Sequence, residues 1–116
     1  MIKQDTLFLL SPGFKDPEFE GEIFYCPHCA LMEGVLASFL TLGENLIIKR
    51  LPFARPRPET IALVGEDHQS LPLLVLSDDA PAYEIALRHN GVQFVQKNYD
   101  ILELLSLRHS YPKRHP

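Results

Sequence analysis

The chain's only two cysteines stand as Cys26-Pro27-His28-Cys29. A thiolate rather than a thiol is the nucleophile and the metal ligand, and unpaired N–H groups at a helix N-terminus stabilise that charge. With two residues between them at a helix start, the sulfurs fall one turn apart on the same side, close enough for one to resolve a mixed disulfide formed by the other. Three chemistries fit: a redox pair, half of a metal site, or two small apolar residues packed in a core. His28 adds a positive charge or a donor beside the Cys26 sulfur, or is an exposed spacer. Pro27 suits a first helical turn, where a missing N–H costs nothing. Zinc needs four ligands, or three and a water, and only one C-x-x-C is present. His68, His89, His109 and His115 lack ligand spacing and read as surface or loop histidines, so no metal is expected.

The totals limit what such a pair could serve. The chain has 116 residues, 46% hydrophobic and 22% charged, which suits one globular domain over 1–116. Its formal net charge of -4 offers no field for a phosphate backbone, so nucleic acid is not expected as a partner. No apolar run is long enough to cross a bilayer, and TLFLLSPG is too short for a signal peptide's apolar region, so the expected location is cytoplasmic and off the membrane. Cellular reductants there argue against a structural disulfide and for reversible redox chemistry or metal binding.

The elements that must position the cysteines follow from periodicity and breakers. TLFLL, stopped by Ser11-Pro12-Gly13, predicts a first strand. Residues 11–25 form a long acidic loop with Asp16, Glu18, Glu20 and Glu22 against Lys15 alone. From Cys26, the rows Leu31, Val35, Phe39 and Met32, Leu36, Leu40 predict a helix buried on a broad face and stopped at Gly43. Interior Gly34 suggests close packing against another element. NLIIKRL, 45–51, predicts a second strand, and a short helix runs from about Pro58 to Gly65, followed by the polar connector GEDHQS. LPLLVL, 71–76, is apolar on both faces and predicts a central strand. AYEIALRHNG is either one arm of a hairpin turning at Asn90-Gly91 or a short helix and turn; VQFVQ is the fourth strand. NYDILELLSLRH predicts a last helix with Asn98 as cap and Asp100 near the positive end of the dipole. Residues 108–116 form a basic tail that reads as a solvated terminus. The alternation predicts a layered α/β domain whose first strands pair in parallel through right-handed crossovers.

With Cys26-Pro27-His28-Cys29 and Ser70-Leu71-Pro72 placed on these elements, the chain resembles the thioredoxin-like superfamily, over nearly all its length apart from the 11–25 loop and the basic tail. It looks most like a compact glutaredoxin-like or glutathione transferase N-terminal-type domain, and like small bacterial families of that fold without assigned function. The resemblance implies a three-layer sandwich, a four-stranded mixed sheet flanked by helices. It makes Cys26 the attacking thiol, Cys29 the resolving thiol, and Pro72 a cis proline facing them, with the Leu71 backbone pairing with a substrate or glutathione main chain. Without the resemblance, Pro72 reads as a trans proline opening a strand. Asp100 falls where glutathione-binding relatives hold a group for the ligand's amino end, although the expected neighbouring serine is missing. The long loop before Cys26 departs from glutaredoxins, and there is no room for the inserted helical domain of the oxidising periplasmic relatives that share CPHC.

The expected activity is therefore thiol-disulfide oxidoreduction on protein or small-molecule thiols and disulfides, with no cofactor and with glutathione as a candidate co-substrate. Tyr25 beside the thiols extends the substrate-binding set of Leu71, Pro72 and Asp100, or packs the loop on the core. The alternative is a non-catalytic binding module that docks a partner through the 11–25 loop or associates with itself.

Overall fold

The structure is a computed structural model and describes residues 2–116. The order is β1 (Thr6–Leu10), α1 (Pro27–Ser38), β2 (Ile47–Leu51), α2 (Pro58–Val64), a 3-10 turn (Glu66–His68), β3 (Leu73–Val75), β4 (Leu87–His89), β5 (Val92–Val95) and α3 (Asn98–His109). The strands form one mixed sheet in the order β2-β1-β3-β5-β4. β1 and β2 are parallel, whereas β1–β3, β3–β5 and β5–β4 are antiparallel.

The sheet thus has five strands where four were expected. The fifth is β4, a three-residue edge strand whose short exposed sequence carries little periodicity. Asn90 and Gly91 take positive φ of 49° and 81°, as a two-residue hairpin requires, so the hairpin alternative for 82–91 is the one adopted.

Successive residues of a strand face opposite sides of its sheet. Leu7, Phe8 and Leu9 of β1, and Leu73, Leu74 and Val75 of β3, are all at most 1% exposed, so both faces at the sheet's centre are covered. The covering side chains include Met32, Val64, Ile101, Leu104 and Leu105. Burying each such side chain contributes on the order of 2 kcal/mol.

Helix α1 buries less than its pattern promised. Only Cys29 and Met32 are buried, Leu31 is exposed, and the helix ends at Ser38, leaving Leu40 outside it and in solvent. Gly43 follows later with φ of 74°. Nothing lies within 4 Å of where a Cβ on Gly34 would stand, so the expected close packing there is absent.

The basic segment 108–116 is also not simply a solvated end. Arg108 and His109 belong to α3 and converge on Asp5, whose side chain is 1% exposed. Arg108 donates two hydrogen bonds to its carboxylate, at 2.6 and 3.0 Å; His109 Nε2 lies 2.8 Å away, and the Ser77 N–H donates at 2.8 Å. Burial alone would raise the Asp5 pKa, but the hydrogen bonds from His109, Arg108 and Ser77 outweigh it and hold the carboxyl below its usual range. Tyr111 is buried edge-on against Phe39, and only Ser110 and 112–116 of this segment are exposed. No helix among the described residues is long and apolar enough to cross a membrane.

Candidate functional site

The 11–25 loop delivers Cys26 in a defined place. Phe14 and Phe24 pair as an isolated antiparallel bridge, with N–H···O distances of 2.8 and 3.0 Å. Phe14 stacks on Phe53 at 4.5 Å between centroids, and Phe19 meets Phe24 edge-on at 5.8 Å. Phe24 therefore packs the loop, while the next residue, Tyr25, is left 65% exposed.

Cys26 occupies the N-cap of α1 with extended backbone angles, and its sulfur takes the place of a capping oxygen by accepting the Cys29 N–H at 3.2 Å. Pro27, at the first helical position, gives up no hydrogen bond there. An anion at this cap is favoured by the otherwise unpaired N–H groups of the first turn. The Cys26 sulfur is partly accessible and also lies 3.9 Å from the Leu71 carbonyl oxygen, to which a protonated thiol donates.

Cys29, one turn on, is 2% exposed, and its sulfur accepts the Leu10 N–H at 3.4 Å. Burial, opposed by that hydrogen bond and reinforced by Cys26 and Glu33, pushes the Cys29 thiol up to about 12. The two thiols are free and of unequal character: one is partly exposed at a helix cap, the other is buried, with its pKa raised.

Across from the sulfurs, the Leu71–Pro72 peptide bond is cis. Gln96 donates to the carbonyls of His68 at 3.1 Å and Ser70 at 3.0 Å, holding the segment that leads into it. An open groove of ≈ 690 Å³ runs past Leu71 and Pro72, walled by His28 and Leu31 from α1 and by Asn98, Tyr99 and Asp100 from α3. Of the residues picked from the sequence, Cys26 touches both Cys29 and Leu71, and His28, Leu71, Pro72 and Asp100 share the groove. Tyr25, Pro27 and the two cysteines lie outside its walls, Cys26 meeting it only through Leu71.

Two residues with a bearing on the site carried no signal of it in the sequence. Asn98 is not the cap of α3; Lys97 is, without a side-chain cap bond, and the Asn98 amide instead reaches His28 at 2.8 Å. Arg57 is only 5% exposed, and its guanidinium donates to the carbonyls of Pro52, Phe53 and Gln69. Burial and then repulsion from Arg55 lower its pKa, while Cys29 and Cys26 oppose this, so its charge is within electrostatic reach of both sulfurs. Nothing in ARPRP marks the second of its two arginines for burial; only three carbonyls converging from two loops make it tolerable.

Fold and site define an α/β domain on a mixed five-stranded sheet, with a Cys-x-x-Cys pair opening its first helix. Residues 4–113 match the family described as "Protein of unknown function (DUF3088)", and the chain belongs to that family. No curated protein matches the chain. No solved structure matches it either.

Proposed function

We propose that this chain is a thioredoxin-like thiol-disulfide oxidoreductase acting on protein or small-molecule disulfides in a reducing, cytoplasmic setting. The observation that carries this reading is the Cys26 sulfur, seated on the Cys29 N–H at a helix cap and facing the Leu71 carbonyl beside Pro72. As a thiolate it attacks one sulfur of a substrate disulfide; the S–S bond breaks and one substrate thiolate leaves. Cys26 is then in a neutral mixed disulfide, so the charge and hydrogen bond by which it raised the Cys29 pKa are gone. Cys29 loses its proton to the departing thiolate and attacks the Cys26 sulfur, releasing the second substrate sulfur as a thiolate that takes a proton from water. The substrate gains two electrons, and the protein ends with a 26–29 disulfide that an external dithiol, or two glutathione molecules, reduces again.

In this reading Leu71 offers backbone to the bound partner, and Asp100 at the groove wall faces a cationic group such as the amino end of glutathione. The test is dithiol-dependent reduction of a disulfide by the purified protein, abolished by Cys26→Ser. Equal rates for the two proteins would refute it.

One observation favours a second reading. Phe19, Ile23 and Tyr25 are 58%, 67% and 65% exposed on the pinned loop before Cys26, which suits a docking module without turnover. Alkylation separates the two readings: a module leaves Cys26 no faster than an unfolded free thiol at neutral pH, whereas the enzyme reacts faster.

A further inference from the structure

His28 stands in the first turn of α1 and Asn98 opens α3, seventy positions later, yet Asn98 Nδ2 lies 2.8 Å from His28 Nδ1. Both side chains wall the groove that passes Leu71 and Pro72. An asparagine at a helix start ordinarily serves the backbone as a cap. Here the cap is Lys97, which makes no side-chain cap bond, so the Asn98 amide is committed to the imidazole.

An amide NH₂ only donates, and a neutral imidazole has one donor and one acceptor nitrogen. With Nδ1 accepting from Asn98, the ring proton resides on Nε2. We infer that Asn98 is a positioning residue that fixes His28 as its Nε2–H tautomer, so that His28 serves the groove as a hydrogen-bond donor and not as a base. The donor role rests on the redox reading above. When a substrate disulfide breaks, negative charge develops on sulfur; the Nε2–H stabilises it by donation, and its proton stays on the ring. A base would need a bare nitrogen facing the substrate, and the acceptor nitrogen is already occupied.

The tautomer is visible in the long-range ¹H–¹⁵N spectrum of the reduced, ¹⁵N-labelled protein. Wild type is expected to show His28 in the Nε2–H form. Asn98→Ala should give a mixture of forms, and the nearly isosteric Asn98→Asp, which only accepts, should turn the ring to Nδ1–H; this variant also covers the case in which the alanine fails to fold. In single-turnover reduction of hydroxyethyl disulfide, Asn98→Ala should slow mixed-disulfide formation about tenfold, the scale of one hydrogen bond to a charged group. His28→Ala/Asn98→Ala should be no slower than His28→Ala.

An Nδ1–H signal in wild type, or a tautomer indifferent to both substitutions in an active protein, overturns the assignment of Asn98. A wild-type protein inert towards the disulfide but showing Nε2–H overturns the redox reading and the donor role, and leaves the tautomer assignment standing.

Discussion

Strand β1 has a polar cluster at each end, and the two are built to opposite specifications. Before its start, the buried Asp5 carboxylate is met by Arg108, His109 and Ser77, so its acceptor capacity is used up inside the fold. Past its end, the Leu10 N–H rests on the sealed Cys29 sulfur, while Cys26 stays partly open to solvent beside a groove. A buried charge whose partners are all internal locks α3 to the sheet. A sulfur held by one N–H and one distant carbonyl keeps capacity for something that arrives from outside. The difference teaches that polarity alone does not mark a working site; unspent bonding capacity next to open space does.

Substitutions at the two ends should therefore fall on different observables. The largest effect expected is at the open end: Cys26→Ser should bring disulfide reduction to background while leaving the thermal midpoint nearly unchanged, as calorimetry beside the turnover assay would show. Cys29→Ser should accumulate the mixed disulfide with a substrate thiol, seen as a mass increase in non-reducing mass spectrometry, because the resolving sulfur is gone. At the closed end, Asp5→Ala strands Arg108 and His109 and should cost about 3–5 kcal/mol in urea unfolding, with the reactivity of Cys26 unchanged in whatever fraction stays folded.

The two ends should also respond to opposite ends of the pH scale. Asp5 holds its proton less readily folded than unfolded. As pH drops below about 4 the unfolded chain takes up that proton first, and stability falls with it. Asp5→Asn should flatten this acid limb of a urea-midpoint profile. Cys29 is shifted the other way, from 9.0 up to about 12, so the unfolded thiol ionises first as pH rises through that window and stability declines there. Cys29→Ala should flatten the alkaline limb. The smallest effect lies at neither end: Gly34→Ala on α1 meets nothing within 4 Å and should stabilise by about 1 kcal/mol in the same unfolding experiment.

What the sequence disclosed divides along the same line. Apolar runs such as TLFLL and LPLLVL predicted β1 and β3 because both faces of those strands are buried, and Asn90-Gly91 named the hairpin among its alternatives. The parallel pairing of β1 with β2 followed from a helix lying between them. Helix α1 misled, because its apolar rows extend past its end at Ser38 and each has one member, Leu31 or Leu40, exposed to solvent. His109 and Arg108 looked like tail residues, since no local pattern reports a carboxylate 103 positions upstream. Of the site, the cysteine spacing and Pro72 were visible in short motifs. Asn98 and Arg57 were not, because their roles rest on contacts between segments far apart in the chain.

The order β2-β1-β3-β5-β4 leaves two rims with unpaired backbone. The edge strand β2 carries Lys49 and Arg50, on opposite faces of the sheet and tied to Glu59 and Glu33, at 2.9 and 2.7 Å; β4 is only three residues long and carries Arg88. A further copy approaching either rim to extend the sheet would have to strip water from these charges or settle for very few bonds, so the fold is guarded against growing into fibrils by its own margins.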